Sequence, residues 1–144
     1  MTIRFKYKEN GKSFVQKGLE QKREMGLVEL TDENFENEVL QSDLPAVIEF
    51  YSGKCGPCKE LTPLCEKVSS DYEGKAKFAK CNFDLYPGIV SRYKVKWAST
   101  MVVVKQDRIL GVFSGSRGTT SGQVIGSVKE DTLKRLIDSY LGRI

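Results

Sequence analysis

The sequence predicts an α/β fold: a central mixed β-sheet with helices on both faces, preceded by a short N-terminal β-type extension. Three observations lead there. From Leu27 onward, runs of strand length take turns with runs of helical spacing, in the order β-α-β-α-β-α-β-β-α. The run PAVIEFYS, 45–52, is almost wholly apolar, which suits a central strand covered on both faces. The last two strands, TMVVVK and RILGVF, are joined only by Gln106-Asp107 and so pair as a hairpin, which makes the sheet mixed.

Residues 1–26 differ from the rest. TIRFKYK, 2–8, places Ile3, Phe5 and Tyr7 on one face of a strand and Arg4, Lys6 and Lys8 on the other. Asn10-Gly11 then signals a tight turn before KSFV, so a hairpin or an edge strand is expected, followed by the polar connector QKGLEQKREMG. This stretch has seven basic and three acidic side chains, so it holds the whole net charge of +4. We read 1–26 as a basic N-terminal extension and 27–144 as the folded domain.

Within the domain, LVEL is the first strand. TDENFENEVL is a helix capped by Thr31, with Asp32 and Glu33 in the first turn, where the helix dipole favours acids, and Phe35, Val39 and Leu40 inward. After PAVIEFYS and the segment CGPC, a helix carries Leu61, Leu64, Cys65, Val68 and Tyr72 on one face, with Pro63 inside it as a source of a kink. KAKFAKCNFD is a strand, and PGIVSRYKV a short helix with Ile89, Val90 and Tyr93 inward. After the hairpin comes the Gly/Ser/Thr-rich loop 114–127. The last helix opens on a capping box of Ser127 and Glu130, shows Leu133, Leu136, Ile137, Tyr140 and Leu141 on one face, and ends at Gly142.

Composition narrows the function. A chain of 144 residues with 40% hydrophobic content holds one domain with a real core. Apolar runs reach only about six residues, short of a membrane span, and the N-terminus has no apolar block of signal-peptide type, so a cytoplasmic protein is expected. Four cysteines are too few for a disulfide scaffold, and a close pair in a reducing compartment is more often catalytic or metal-binding. The chain has no histidine, which excludes His-based triads and His-containing metal sites. Seven cations in the extension, with no accompanying motif, do not indicate nucleic acid.

The chemistry concentrates in SGKCGPCKE, 52–60. Cys55 follows a buried strand at the start of a helix, where unpaired N–H groups favour an anion and draw the thiol below its free value of about 8.5. The thiolate is the attacking species in disulfide exchange. Two intervening residues, Gly56 and Pro57, bring the second sulfur back on the first helical turn, and Pro57 is tolerated there because its missing N–H had no intrahelical partner. Cys55 is therefore the nucleophile and Cys58 the resolving thiol. Cys65 and Cys81 read as small core residues.

Over about residues 27–141 the chain resembles the thioredoxin family. CGPCK matches the family motif residue for residue. VIEFYSGKCGPCK is similar to its strand, loop and dithiol helix, FAKCNFD to its third strand, and SRYKV to the segment that follows. The resemblance implies a thioredoxin-like fold and a thiol–disulfide oxidoreductase that needs no small-molecule cofactor. Its partners would be disulfide-containing proteins and a reductase that supplies electrons, with neither nucleic acid nor a membrane. Glu49 takes the place of the family's buried acid. A carboxyl in so apolar a strand holds its proton to higher pH and can accept one from Cys58. Lys80 matches a lysine near that acid. Gly115 sits where the family has a glycine after its last strand. Substrate contacts would fall to Lys54, Gly56, Pro57, Trp97, Ala98, Ser99 and Gly115.

Three departures follow. Lys54 stands where the family commonly has tryptophan, adding a cation beside the dithiol. Ser99 replaces the family's cis-proline; a cis bond before a non-proline residue costs about 3 kcal/mol, so the Ala98–Ser99 peptide is expected trans. Loop 116–127 is longer than the family's connection and either selects partners or is a passive insertion. Trp97 lies beside the sulfurs or else in the core. Two further readings of the whole stay open: a redox-sensing or interaction module, and metal or iron–sulfur binding through the dithiol. The extension is equally a docking strand for another protein or the contact of a homodimer.

Overall fold

Five strands pair side by side in the order β1-β3-β2-β4-β5 in a computed structural model that describes residues 27–53, 58–114, 119–120, 123–124 and 129–144. They are β1 (Val28–Leu30), β2 (Ala46–Tyr51), β3 (Lys77–Asn82), β4 (Thr100–Lys105) and β5 (Arg108–Ser114). β1 and β2 both run parallel to β3, while β4 is antiparallel to β2 and to β5. The helices are α1 (Glu36–Leu40), α2 (Cys58–Ser69), α3 (Pro87–Arg92) and α4 (Glu130–Leu141), with a 3-10 turn at Ser70–Tyr72. The mixed sheet expected from the sequence is thus observed, with β2 at its centre.

Strand alternation sorts the core into two layers. Val47, Phe78, Met101, Val103 and Phe113 meet Leu61, Cys65 and Val68 of α2 and Leu133, Ile137 and Tyr140 of α4. Ile48, Phe50, Ala79, Cys81, Val102 and Val104 meet Phe35 and Val39 near α1 and Ile89, Val90 and Tyr93 near α3. Both faces of β2 are therefore covered, which its continuous apolar run requires. β5 breaks strict alternation. The β4–β5 register shifts between Val103 and Val104, which pair with Gly111 and Ile109, so Leu110 is left over opposite them. This bulge lets both Leu110 and Phe113 join the α2/α4 layer.

The helix starts follow the sequence unevenly. Thr31 Oγ1 accepts the N–H groups of Glu33 and Asn34, each at 3.2 Å, and Asn34 Oδ1 accepts the Thr31 N–H at 2.8 Å. That is a reciprocal cap with asparagine as its second member. The segment after it winds wider than an α-helix, with the Gln41 N–H reaching Glu36 O. α2 runs on through Pro63, which faces solvent. α4 begins at Glu130, with Lys129 at the cap position and no side-chain cap. The Glu130 carboxylate, the second member of the expected capping box, pairs with Lys67 at 3.2 Å and Lys134 at 3.4 Å. Ser127 lies outside the described residues. The stretch expected to be a plain loop contains a small antiparallel ladder, Thr119–Thr120 (β6) against Gln123–Val124 (β7).

Candidate active site

A row of side chains crosses the sheet on the face that α2 covers. Register places Glu29 of β1 beside Lys80 of β3, Lys80 beside Glu49 of β2, and Glu49 beside Met101 of β4. Glu49 is only 1% exposed. Burial raises its carboxyl from the ordinary 4.5 to about 7, against the lowering effects of a hydrogen bond from Thr62 and the charge of Lys80; Glu66 and Glu29 raise it further. The raised proton affinity expected for this acid is what its surroundings produce.

Lys80 leans the other way. Its Nζ is 3.8 Å from Glu29 Oε1 and 5.5 Å from the centre of the Tyr51 ring. The Tyr51 hydroxyl donates to Glu29 Oε2 at 2.6 Å. Lys80 is therefore near Glu49 in register, as the resemblance implies, while its ion pair is with Glu29.

Glu49's hydrogen-bond partner comes from the helix above. Thr62 Oγ1 lies 2.8 Å from Oε1 and 2.7 Å from Oε2. Thr62 stands four residues after Cys58, one turn along the same helical row, so α2 links the second cysteine position to the buried acid. Nothing in the sequence reading singled out Thr62. The available signal was its place beside Leu61 and Cys65 on the sheet-facing side of α2, four residues from a motif cysteine.

The loop before β4 closes one side. Trp97 is 46% exposed, so the core placement is excluded and the side chain is a surface feature. The expectation of a trans peptide at Ala98–Ser99 is overturned, because that bond is cis. The trans argument concerned an isolated peptide; here the surroundings decide. Ser99 and Thr100 are buried, the Thr100 hydroxyl donates to Trp97 O at 2.5 Å, and β4 starts at once by pairing Thr100 with Phe50 and Ser114. The loop is thus held against the end of β2, the strand that leads to the dithiol segment. On the other side, Ser52 Oγ donates to Asp84 Oδ2 at 2.8 Å and ties the β2 exit to the β3 exit.

Lys54, Cys55, Gly56, Pro57 and Gly115 lie outside the described residues, as do 1–26, and Cys58 is described by its backbone alone. Cys65 and Cys81 are free, buried thiols, as expected of core residues. Burial raises both, with Glu49 adding to the effect at Cys65; Cys81 is pushed up to about 12. Among the described residues no three acidic or cysteine side chains converge as metal ligands.

The chain is similar to known proteins over this whole region. A family model described as Thioredoxin matches residues 26–138. A thioredoxin from Chlorobaculum thiosulfatiphilum is 33% identical over 114 residues, 79% of this chain and 95% of that protein. Thioredoxin 1 of Nostoc sp. is 31% identical over 113 residues, 78% of this chain and 95% of its own length. Over a shorter stretch of 76 residues, 53% of this chain and 72% of the relative, a thioredoxin of Rickettsia bellii is 43% identical. The family-model match encloses the mixed sheet, the buried acid row and the CGPC segment together, and the chain belongs to the thioredoxin family of thiol–disulfide oxidoreductases.

Proposed function

We propose that the protein reduces protein disulfides through Cys55 and Cys58, with Glu49 as the proton acceptor of the second step. The Cys55 thiolate attacks one sulfur of a substrate disulfide. The substrate S–S bond breaks, a mixed disulfide forms on Cys55, and one substrate thiolate leaves. Cys58 then gives its proton to Glu49 and attacks the Cys55 sulfur. The mixed disulfide breaks, the second substrate thiolate leaves, and Cys55 and Cys58 are joined. Two electrons have passed from the dithiol to the substrate, and a reductase returns the pair to its starting state.

The observation that carries this reading is Glu49, buried beneath the helix that Cys58 opens and holding its proton to about 7. A group poised there is present in both protonation states at neutral pH, and its ionised form accepts a proton. Trp97 and Ala98 form one flank of the surface a substrate meets, with Ser99 buried behind them, and Lys54, Gly56, Pro57 and Gly115 complete it. Lys80 moderates the charge on Glu49 from the neighbouring strand. We place the protein in the cytoplasm, a setting that suits Cys65 and Cys81 as free thiols. Residues 1–26 act as an appendage, a docking strand or the contact of a homodimer, to the domain 27–144.

Reduction of an insulin-type protein disulfide by the full chain tests the assignment. Cys55→Ser abolishes turnover. Cys58→Ser accumulates the mixed disulfide, visible as a covalent adduct lost on adding a thiol reductant. Turnover that survives Cys55→Ser would falsify the reading.

A further inference from the structure

We propose that Thr62 is a positioning residue whose hydroxyl sets the proton affinity of Glu49. The geometry is direct. Thr62 Oγ1 sits within 2.8 Å of both carboxylate oxygens of a side chain that is 1% exposed. Around that contact the layer is apolar, formed by Val47, Leu61, Met101 and Val103. A hydroxyl has one hydrogen. When Glu49 is ionised, that hydrogen makes a charge-assisted bond to the carboxylate. When Glu49 is protonated, the bond is between neutral groups and weaker. The hydroxyl therefore favours the charged form, in opposition to burial.

The other charged and titratable groups facing Glu49 act at longer range. Lys80 on β3 is in register with it, but its ammonium is paired with Glu29 of β1 at 3.8 Å, and the Tyr51 hydroxyl of β2 bonds that same glutamate. Glu66 on α2 and Glu29 both act by charge to keep the proton on Glu49, and Cys65 on α2 is a neutral buried thiol. Thr62 is thus, among the described residues, the side chain that bonds the carboxylate directly. It sits at the fourth position after Cys58, so any change in α2 that moves the second cysteine position moves this donor with it.

The consequence for exchange rests on Glu49 being the proton acceptor, and the experiment separates the two ideas. The full chain is reduced and its Glu49 carboxyl is titrated by 13C NMR, in the natural sequence, in Thr62→Val and in Thr62→Ser. Valine keeps the shape and removes the hydroxyl; serine keeps the hydroxyl. Thr62→Val raises the Glu49 midpoint by roughly one pH unit, and Thr62→Ser leaves it near its starting value. An unchanged midpoint in Thr62→Val, or an equal rise in both variants, overturns the proposal. The pH dependence of disulfide reduction is recorded on the same samples. A midpoint that moves while the rate profile stays in place supports the Thr62 assignment and refutes the catalytic role of Glu49.

Discussion

Glu49 has an effect on stability that follows from its place in β2. A glutamate in the unfolded chain loses its proton near 4.5, whereas burial keeps this one protonated to about 7. The folded state therefore holds more protons between those values. Stability falls as pH rises through that window and stays reduced above it, by an amount on the order of 3 kcal/mol. Glu49→Gln removes the effect. Urea unfolding of the reduced protein should show the variant about 2–3 kcal/mol more stable at pH 8 and about equal to the natural sequence at pH 4. The same difference at both pH values would contradict this account. The residue itself was legible, because one carboxylate inside VIEFY has nowhere to go but the core. Its partner was not: a threonine in an amphipathic helix has the same appearance in sequence whether it faces solvent or an acid thirteen residues earlier. The Ala98–Ser99 peptide was misread for a related reason, since the deciding contacts are with β2 and β5, distant in sequence.

Among the elements, α4 docks on the sheet with one of its buried side chains, Tyr140, set directly over a glycine of β5. A Cβ at Gly111 would lie 2.3 Å from the ring of Tyr140, so that ring rests on bare backbone. The ring also packs against Phe113, with centroids 5.9 Å apart, and the Arg143 guanidinium lies 5.0 Å over it. Gly111→Ala must push α4 away from β5 and should lower stability by about 2 kcal/mol or more. Combining it with Tyr140→Leu recovers part of that loss, which a double-mutant cycle in urea measures; strictly additive losses would show that the two residues do not share a contact. Polar contacts join the same helix to α2 and the turn after it. Lys134 pairs with Asp71 at 2.5 Å, and the Tyr72 hydroxyl donates to Asp138 at 2.7 Å. The apolar stripe of α4 was readable at 3.6-residue spacing, and Leu133, Ile137 and Tyr140 are all buried. The ion pairs of Glu130 with Lys67 and Lys134 were not readable in the same way, because Lys67 is distant in sequence and only the packed structure brings it near.

At the scale of the whole molecule, the order of elements was the most legible feature. Each strand of the sheet was marked by a β-branched or apolar run and each helix by its spacing, so the mixed sheet followed from pattern alone. Lateral order was less accessible, since adjacency depends on which faces the connecting helices cover. The family match covers residues 26–138. A chain lacking residues 1–26 should keep its unfolding midpoint and its turnover on a protein disulfide; loss of either would show that the extension is part of the working unit. The strand order has one more outcome, for the chain as it is made. β1 and β2 have no hydrogen bonds to each other, because β3 lies between them. A growing chain that has exposed both must wait roughly 30 residues beyond Tyr51 for the strand that joins them, a few seconds of translation. Through that interval two apolar strands have open edges. The need for a chaperone, if the protein has one, is therefore greatest before Asn82 has emerged from the ribosome.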